Sequence, residues 1–466
     1  MKRNKAVKIA VGVVLILLLC CVTGVLLLLY SPPVQQQAAR WATTWLQNRL
    51  HSTVRLARFD LDFPRRITLQ EVFLTEPQGD TLLYAGSLTL DTDLWQLLDD
   101  TLPVYRITLS DTHLRLAQRD STWNYQFIID AFDDGKPPSG KPPGIFIAAR
   151  ETPVLLQDLK FEWESTAGLS YFCLKTDSLH GRLDQVRIDT LHLDFSQIAD
   201  QNGRIIWRSG APPPAVPGVF RYDNIDLQQT TLKIDRVHIT PDSILATLAT
   251  FQGRDAGGLE IRQASTELSL AGGQLNLDRL DLQANDSRVT GGISLDIGDT
   301  LRYRIDRLEG RLQSADLTYF ADLPFFKKNP GETFILFLTG SGSVDELDIR
   351  RFDFQTKNGT TTLSLHGRVT NLRDMQTLGG DVTLNRMRTN VGTLQSLAPG
   401  LELPEGLSRS DVVELQGRFR GNLRQLDLEL VPRYQPADRG LPLTANLNAT
   451  VFNAGQARLI SWKVRV

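Results

Sequence analysis

The residues able to do chemistry in this chain are few and scattered. Its histidines, His51, His113, His180, His192, His238 and His366, form no His-x-x-x-His pair and no Cys/His ligand cluster, so no metal site is expected. The carboxylate pairs Asp60/Asp62 and Asp133/Asp134 fall on the polar side of an expected strand and in an expected loop. Neither placement gives the opposed acid and base that proton transfer requires. The doublets Gly272-Gly273 and Gly291-Gly292 lack the following helix and lysine of a phosphate-binding loop. Two of the three cysteines, Cys20 and Cys21, lie in an apolar run, which leaves Cys173 alone in Tyr171-Phe172-Cys173-Leu174. That residue reads as a small buried side chain, and no disulfide framework is possible beyond the run. The expectation is a protein that is not an enzyme and carries no cofactor.

The elements that would hold a binding surface are clearer. Lys2, Arg3, Lys5 and Lys8 precede an uncharged run from Ile9 to Tyr30, ended by Ser31-Pro32-Pro33. A helix needs about 20 apolar residues to cross a bilayer. The run exceeds the core of a cleavable signal, and no small-x-small site follows it. Residues 1–30 are therefore expected to be a cytoplasmic tip and a single membrane anchor, with the bulk of the chain on the far side of the inner membrane.

From Val34 to Leu50, the positions Val34, Ala38, Trp41, Trp45 and Leu46 recur at helical spacing. This amphipathic helix either caps the following sheet or lies on the outer leaflet, with Trp41 and Trp45 as membrane-interface candidates. From about Thr53 the period changes to 2. Ile67-x-Leu69, Leu88-x-Leu90, Leu232-x-Ile234, Val237-x-Ile239, Leu268-x-Leu270, Leu275-x-Leu277, Leu280-x-Leu282, Leu363-x-Leu365 and Leu426-x-Leu428-x-Leu430 each read as a short two-faced strand. Gln78-Gly79-Asp80, Asn358-Gly359 and similar breaks supply the turns, which together imply a long antiparallel meander. The stretches 280–295 and 352–369 look alike, as strand, polar turn, strand and glycine, which implies repeat-like growth of an elongated sheet.

Net charge is −2, with 41 % hydrophobic and 22 % charged residues, so a core is affordable and no bias toward nucleic acid exists. A sheet with one apolar face can be a closed sandwich or a single sheet curled into a trough. Periodicity alone leaves both open. In the trough, Leu268, Leu270, Leu275, Leu277, Leu280, Leu282, Leu363 and Leu365 are the groove-lining candidates.

Residues 58–74, with Asp60-Leu61-Asp62-Phe63-Pro64, then Gly79-Asp80-Thr81-Leu82-Leu83-Tyr84-Ala85 and Asn124-Tyr125-Gln126-Phe127-Ile128-Ile129-Asp130-Ala131-Phe132, resemble the N-terminal region of AsmA-like proteins. More narrowly, they are similar to TamB-type translocation and assembly module subunits of the Bacteroidetes. The resemblance covers residues 1–135 specifically and is generic beyond. It implies an anchored periplasmic β-trough, an outer-membrane barrel assembly partner, and cargo such as phospholipid or nascent outer-membrane protein. The alternative is a packed tether between envelope layers without cargo. On this reading the regions are 1–30 (tip and anchor), 31–135 (the AsmA-like N-terminal region), 136–144 (a Pro/Gly loop) and 145–466 (the repeat-like sheet). Family members are usually longer and end in a distinct domain, whereas Trp462 to Val466 reads as mid-strand, so a fragment or a short relative is expected.

Overall fold

The computed structural model describes residues 32–99, 101–119, 122–132, 146–165, 170–187, 192–211, 213–296, 301–320, 324–374, 377–397, 406–438, 440–452 and 463–465. The expected anchor and most of the 136–144 loop region's surroundings lie outside them, as does that loop itself. Among the described residues no helix is long and apolar enough to cross a membrane. The chain is mainly β, 69 % strand, in a sheet that does not close, with few helices. Its contacts define two units: residues up to Pro213 with Asp223–Leu232, and Pro214–Tyr222 with Lys233–Val466.

The first unit begins with α1 (Pro32–Leu50), where prolines in the first turn cost no hydrogen bond. Its strands are β1 (Val54–Arg55), β2 (Arg58–Asp62), β3 (Arg66–Thr75), β4 (Thr81–Thr92), β5 (Thr101–Arg119), β6 (Thr122–Trp123), β7 (Phe146–Ser165), β8 (Ser170–Arg187), β9 (His192–Ser209) and β10 (Asn224–Ile239), the last shared with the second unit. A 3-10 turn (Leu94–Asp99) follows β4, and α2 (Gln126–Phe132) follows β6. The helix α1 lies along the edge strands: Gln35 Nε2 donates to the Leu61 carbonyl at 3.3 Å and Gln47 Nε2 to the Val54 carbonyl at 2.7 Å. Edge carbonyls are thereby satisfied rather than left to template another strand. The packed face differs from the apolar spacing in the sequence. Ala39 and Leu50 are buried, while Val34, Trp41 and Trp45 are exposed, Trp41 by 71 %.

Antiparallel pairing is also not universal. β5 and β7 pair in parallel from Thr101↔Phe146 to Gln118↔Ser165. A parallel pair needs a connection of a dozen or more residues, and α2 with the proline-rich stretch after it supplies that length. The sequence reading of an uninterrupted meander is corrected at this point.

The second unit continues through β11 (Ser243–Asp255), β12 (Glu260–Ala271), β13 (Gln274–Ala284), β14 (Ser287–Asp296), β15 (Arg302–Gln313), β16 (Thr333–Ser343), β17 (Glu346–Thr356), β18 (Thr362–Thr370), β19 (Gly379–Asn390), β20 (Val412–Asn422), β21 (Gln425–Gln435), β22 (Leu443–Thr444), β23 (Asn446–Phe452) and β24 (Lys463–Arg465). From β11 to β21 each strand pairs antiparallel with the next. Short helices α3 (Ser314–Leu317), α4 (Pro324–Lys328) and α5 (Val391–Leu397) interrupt them.

Leu275-x-Leu277 and Leu280-x-Leu282, expected as two strands, are halves of the single strand β13, just as Leu232-x-Ile234 and Val237-x-Ile239 are both in β10. The reason is a β-bulge. In the β13–β14 register Leu277 opposes Ile293 and Leu280 opposes Gly291, so Asp278 and Arg279 together face one residue, Gly292. The extra residue slips the period by one, and both halves keep their leucines on the same face. Asp306-Arg307, Arg350-Arg351 and Asn385-Arg386 do the same in β15, β17 and β19. The intervening strands place Gly291, Gly340, Gly367 and Gly417 near the bulges. A Cβ on Gly291 would meet the Arg307 carbonyl oxygen at 2.0 Å, with φ at +154°, so only glycine fits there.

Candidate hydrophobic surface

Residues directly opposite in a ladder share a face, so the registers of the second unit can be read as rows crossing the strands. Leu270 opposes Leu275, which opposes Leu295. Leu268, Leu277 and Ile293 form the next row. A third runs Leu280, Gly291, Leu308, Leu338, Phe352, Leu365 and Leu384. The fourth runs Leu282, Val289, Gly310, Leu336, Phe354, Leu363 and Met387. The eight groove-lining candidates therefore stand on one face in four adjacent rows. Leu280 shares a row with Leu365, and Leu282 shares one with Leu363, although about eighty residues separate them in sequence.

All eight leucines are half-buried, none fully. The opposite face carries cross-strand and same-strand ion pairs: Arg288–Asp281 at 2.6 Å, Arg351–Asp353 at 2.5 Å, Arg368–Glu346 at 2.9 Å and Arg418–Asp381 at 2.5 Å. Each contributes little to stability at a solvated position, but together they mark the wet side. In β20 and β21 the alternation is strict, with half-buried apolar residues and glycine alternating with exposed polar ones from Gln416 to Leu430.

A contrast within the same unit shows what full coverage looks like. Phe334, at the start of β16, is completely buried, packed by Phe325 and Phe326 of α4 at 6.1 and 5.9 Å between ring centroids and stacked on Phe354 at 4.8 Å. Val391, opening α5, is likewise inaccessible. The covering segment is pinned by Asp316 of α3, whose Oδ2 accepts from Ser287 Oγ at 2.7 Å and from the Asp286 amide at 3.1 Å. Helices thus close one end of these strands, and the four leucine rows beyond them stay partly exposed except at Gly310 and Leu384.

Among the described residues, several titratable groups link neighbouring strands. In the first unit, Glu162 of β7 accepts from Tyr171 Oη at 2.6 Å, pairs with Lys160 Nζ at 2.8 Å and meets His113 Nε2 at 2.5 Å. Burial alone would raise its pKa, but the hydrogen bonds from Lys160, Tyr171 and His113 outweigh that and hold it down at about 2. Burial, then the bond to Glu162, pushes Tyr171 up. Sequence reasoning left His113 isolated because its partner is 49 residues away, brought alongside by the parallel β5–β7 pairing. Burial raises the Asp200 carboxyl against the bond it accepts from Thr176. Glu76, 1 % exposed, receives Arg119 Nη1 at 3.0 Å and Asn124 Nδ2 at 2.8 Å, which ties the β3–β4 turn to the segment before α2. Cys173 is buried and reduced. Among the described residues no group of three or more His, Cys, Asp or Glu could hold a metal ion. Trp41 and Trp45 stand exposed on the first unit's helix.

What fold and surface define in the second unit is a two-faced sheet with a contiguous apolar side. Comparison with protein families, with curated proteins and with solved structures finds no match.

Proposed function

We propose that the chain is a non-catalytic, inner-membrane-anchored envelope component whose leucine rows form a trough for hydrophobic cargo, passing phospholipid toward the outer membrane as part of a translocation and assembly system. The observation that supports this reading is the partial exposure of four contiguous apolar rows on one face, in which only Gly310 and Leu384 are buried, beside a closed end where the same kind of side chain is fully covered. Contiguous apolar surface of this kind marks a binding site in a soluble environment. Neighbouring strands lie about 4.8 Å apart, so the two long rows, from β13 to β19, extend on the order of 30 Å.

Acyl chains suit the face better than a polypeptide strand. Interior strands spend their amides and carbonyls on each other, so the face offers apolar contact alone, whereas a guest strand needs an edge to pair with. Nascent outer-membrane segments would engage an edge of the sheet. The resemblance to TamB-type subunits supports the location, the single-pass anchor and an outer-membrane barrel partner. A photoreactive amino acid placed at Leu277 or Leu365 in the intact chain, expressed in a Gram-negative host, tests this. Crosslinks to phospholipid are expected. Crosslinks to neither lipid nor a second polypeptide would contradict the reading and favour a packed tether.

A further inference from the structure

The first unit has a second set of exposed apolar side chains that the leucine rows do not account for. Trp95, in the 3-10 turn after β4, is 52 % exposed and meets Phe63 edge-on at 4.8 Å between centroids. Tyr105, early in β5, is 54 % exposed, and its hydroxyl accepts from Gln96 Nε2 at 3.4 Å. Both belong to the end of the sheet where α1 starts. Gln35 reaches Leu61, Leu61 opposes Ile67, Arg66 opposes Asp91, and Asp91 opposes Arg106. The Leu94 amide donates to the Pro64 carbonyl at 2.8 Å and fixes the turn at that level. The uncharged run from Ile9 to Tyr30 stops two residues before α1.

We propose that this end of the first unit, formed by Phe63, Pro64, Trp95 and Tyr105, sits in the phospholipid headgroup layer of the membrane, with Trp95 and Tyr105 as its interfacial anchors. The proposal rests on the reading of Ile9–Tyr30 as a membrane anchor. If that run crosses the bilayer, the interface lies within a few residues of Pro32, level with Trp95 and Tyr105. Rings with an apolar body and a polar tip are the side chains that favour this layer. At 1.5 Å per residue, Trp41 stands about 13 Å and Trp45 about 20 Å along the helix from Pro32. The headgroup layer is only about 5–8 Å deep on each side, so on a helix continuing along the membrane normal these two tryptophans lie beyond it.

The test is quenching of tryptophan emission by brominated phosphatidylcholine, with the full chain reconstituted in liposomes. Wild type is compared with Trp95→Phe and with the double variant Trp41→Phe/Trp45→Phe. The expected result is that Trp95→Phe at least halves the quenchable fraction and the double variant leaves it unchanged. Quenching unaltered by Trp95→Phe overturns the seat, and quenching lost only in the double variant shows instead that α1 lies flat on the bilayer. Alkaline extraction of the same liposomes separates the two levels of failure. A chain released by alkali refutes the anchor and the seat together, whereas a retained chain with unquenched Trp95 refutes the seat alone.

Discussion

Replacing Leu277 with aspartate distinguishes an open apolar face from a covered one. Leu277 stands between Leu268 and Ile293 in its row and is half-buried. Losing two cross-strand apolar pairs, each about 0.2–1 kcal/mol, costs roughly 0.5–2 kcal/mol if the new carboxylate keeps its water. Were the face covered, the variant would bury an unpaired charge, and the penalty would reach several kcal/mol or more. Phe334→Asp supplies that second case within the same unit, because Phe334 has no exposed surface. A chain of this length and organisation does not unfold as one unit, so amide exchange in β12, β13 and β14 is the appropriate readout. Since about 1.4 kcal/mol is tenfold in an equilibrium constant, Leu277→Asp should lower protection by no more than about 30-fold and only around β13. Acyl contact should fall far more, since lipid packed on the row would dehydrate the carboxylate. Loss of protection in Leu277→Asp as broad as that in Phe334→Asp would refute the open face.

Three further outcomes follow from particular contacts. Phe334→Ala should cost about 3–5 kcal/mol and free α4, read as loss of amide protection from β15 to β17, because Phe325, Phe326 and Phe354 cannot collapse fully into the void. Gly291→Ala should cost about 1–3 kcal/mol and loosen β14 from β15, since its Cβ would collide with the Arg307 carbonyl; Gly331→Ala, with nothing within 4 Å, should be silent in the same exchange measurement. Glu162 titrates at about 2 in the folded chain against an ordinary 4.5, so its stabilisation is present above about pH 4.5 and fades as pH falls toward 2. Glu162→Gln should therefore cost about 1 kcal/mol at pH 6, after allowance for solvent screening, and nothing near pH 2, measured by protection of β7 and β8.

Much of the scaffold is legible in the sequence because a half-buried strand must alternate. The period-2 segments around Leu268, Leu363 and Leu426 all lie in strands, and Gly79, Gly272 and Gly359 adopt the positive φ that their turns require. Bulges hid strand length. Leu277-Asp278-Arg279-Leu280 breaks the alternation, so period counting splits β13 in two, although the same apolar-polar-Arg-apolar signal recurs at Ile305-Asp306-Arg307-Leu308, Ile349-Arg350-Arg351-Phe352 and Leu384-Asn385-Arg386-Met387. That repeat was readable and marks the bulged strands. The parallel β5–β7 pairing was not readable, because long-range partner choice leaves no local pattern. Neither was the packed side of α1, where Gln35 and Gln47 follow the hydrogen-bonding needs of the edge strands rather than the tryptophan stripe. The leucines of the candidate surface were legible as residues, but their alignment into shared rows depends on register, which the bulges set.

Lipid recovered with the purified full chain, quantified by mass spectrometry for wild type and for a variant carrying both Leu277→Asp and Leu365→Asp, tests the central claim most directly. Lipid held elsewhere on the chain, including around the proposed anchor, should be common to both proteins, so the difference counts the leucine rows. A reproducible excess of phospholipid on the wild type, of at least one molecule per chain, is the expected result. Equal lipid on two folded proteins would contradict the account and leave the apolar face without an acyl occupant.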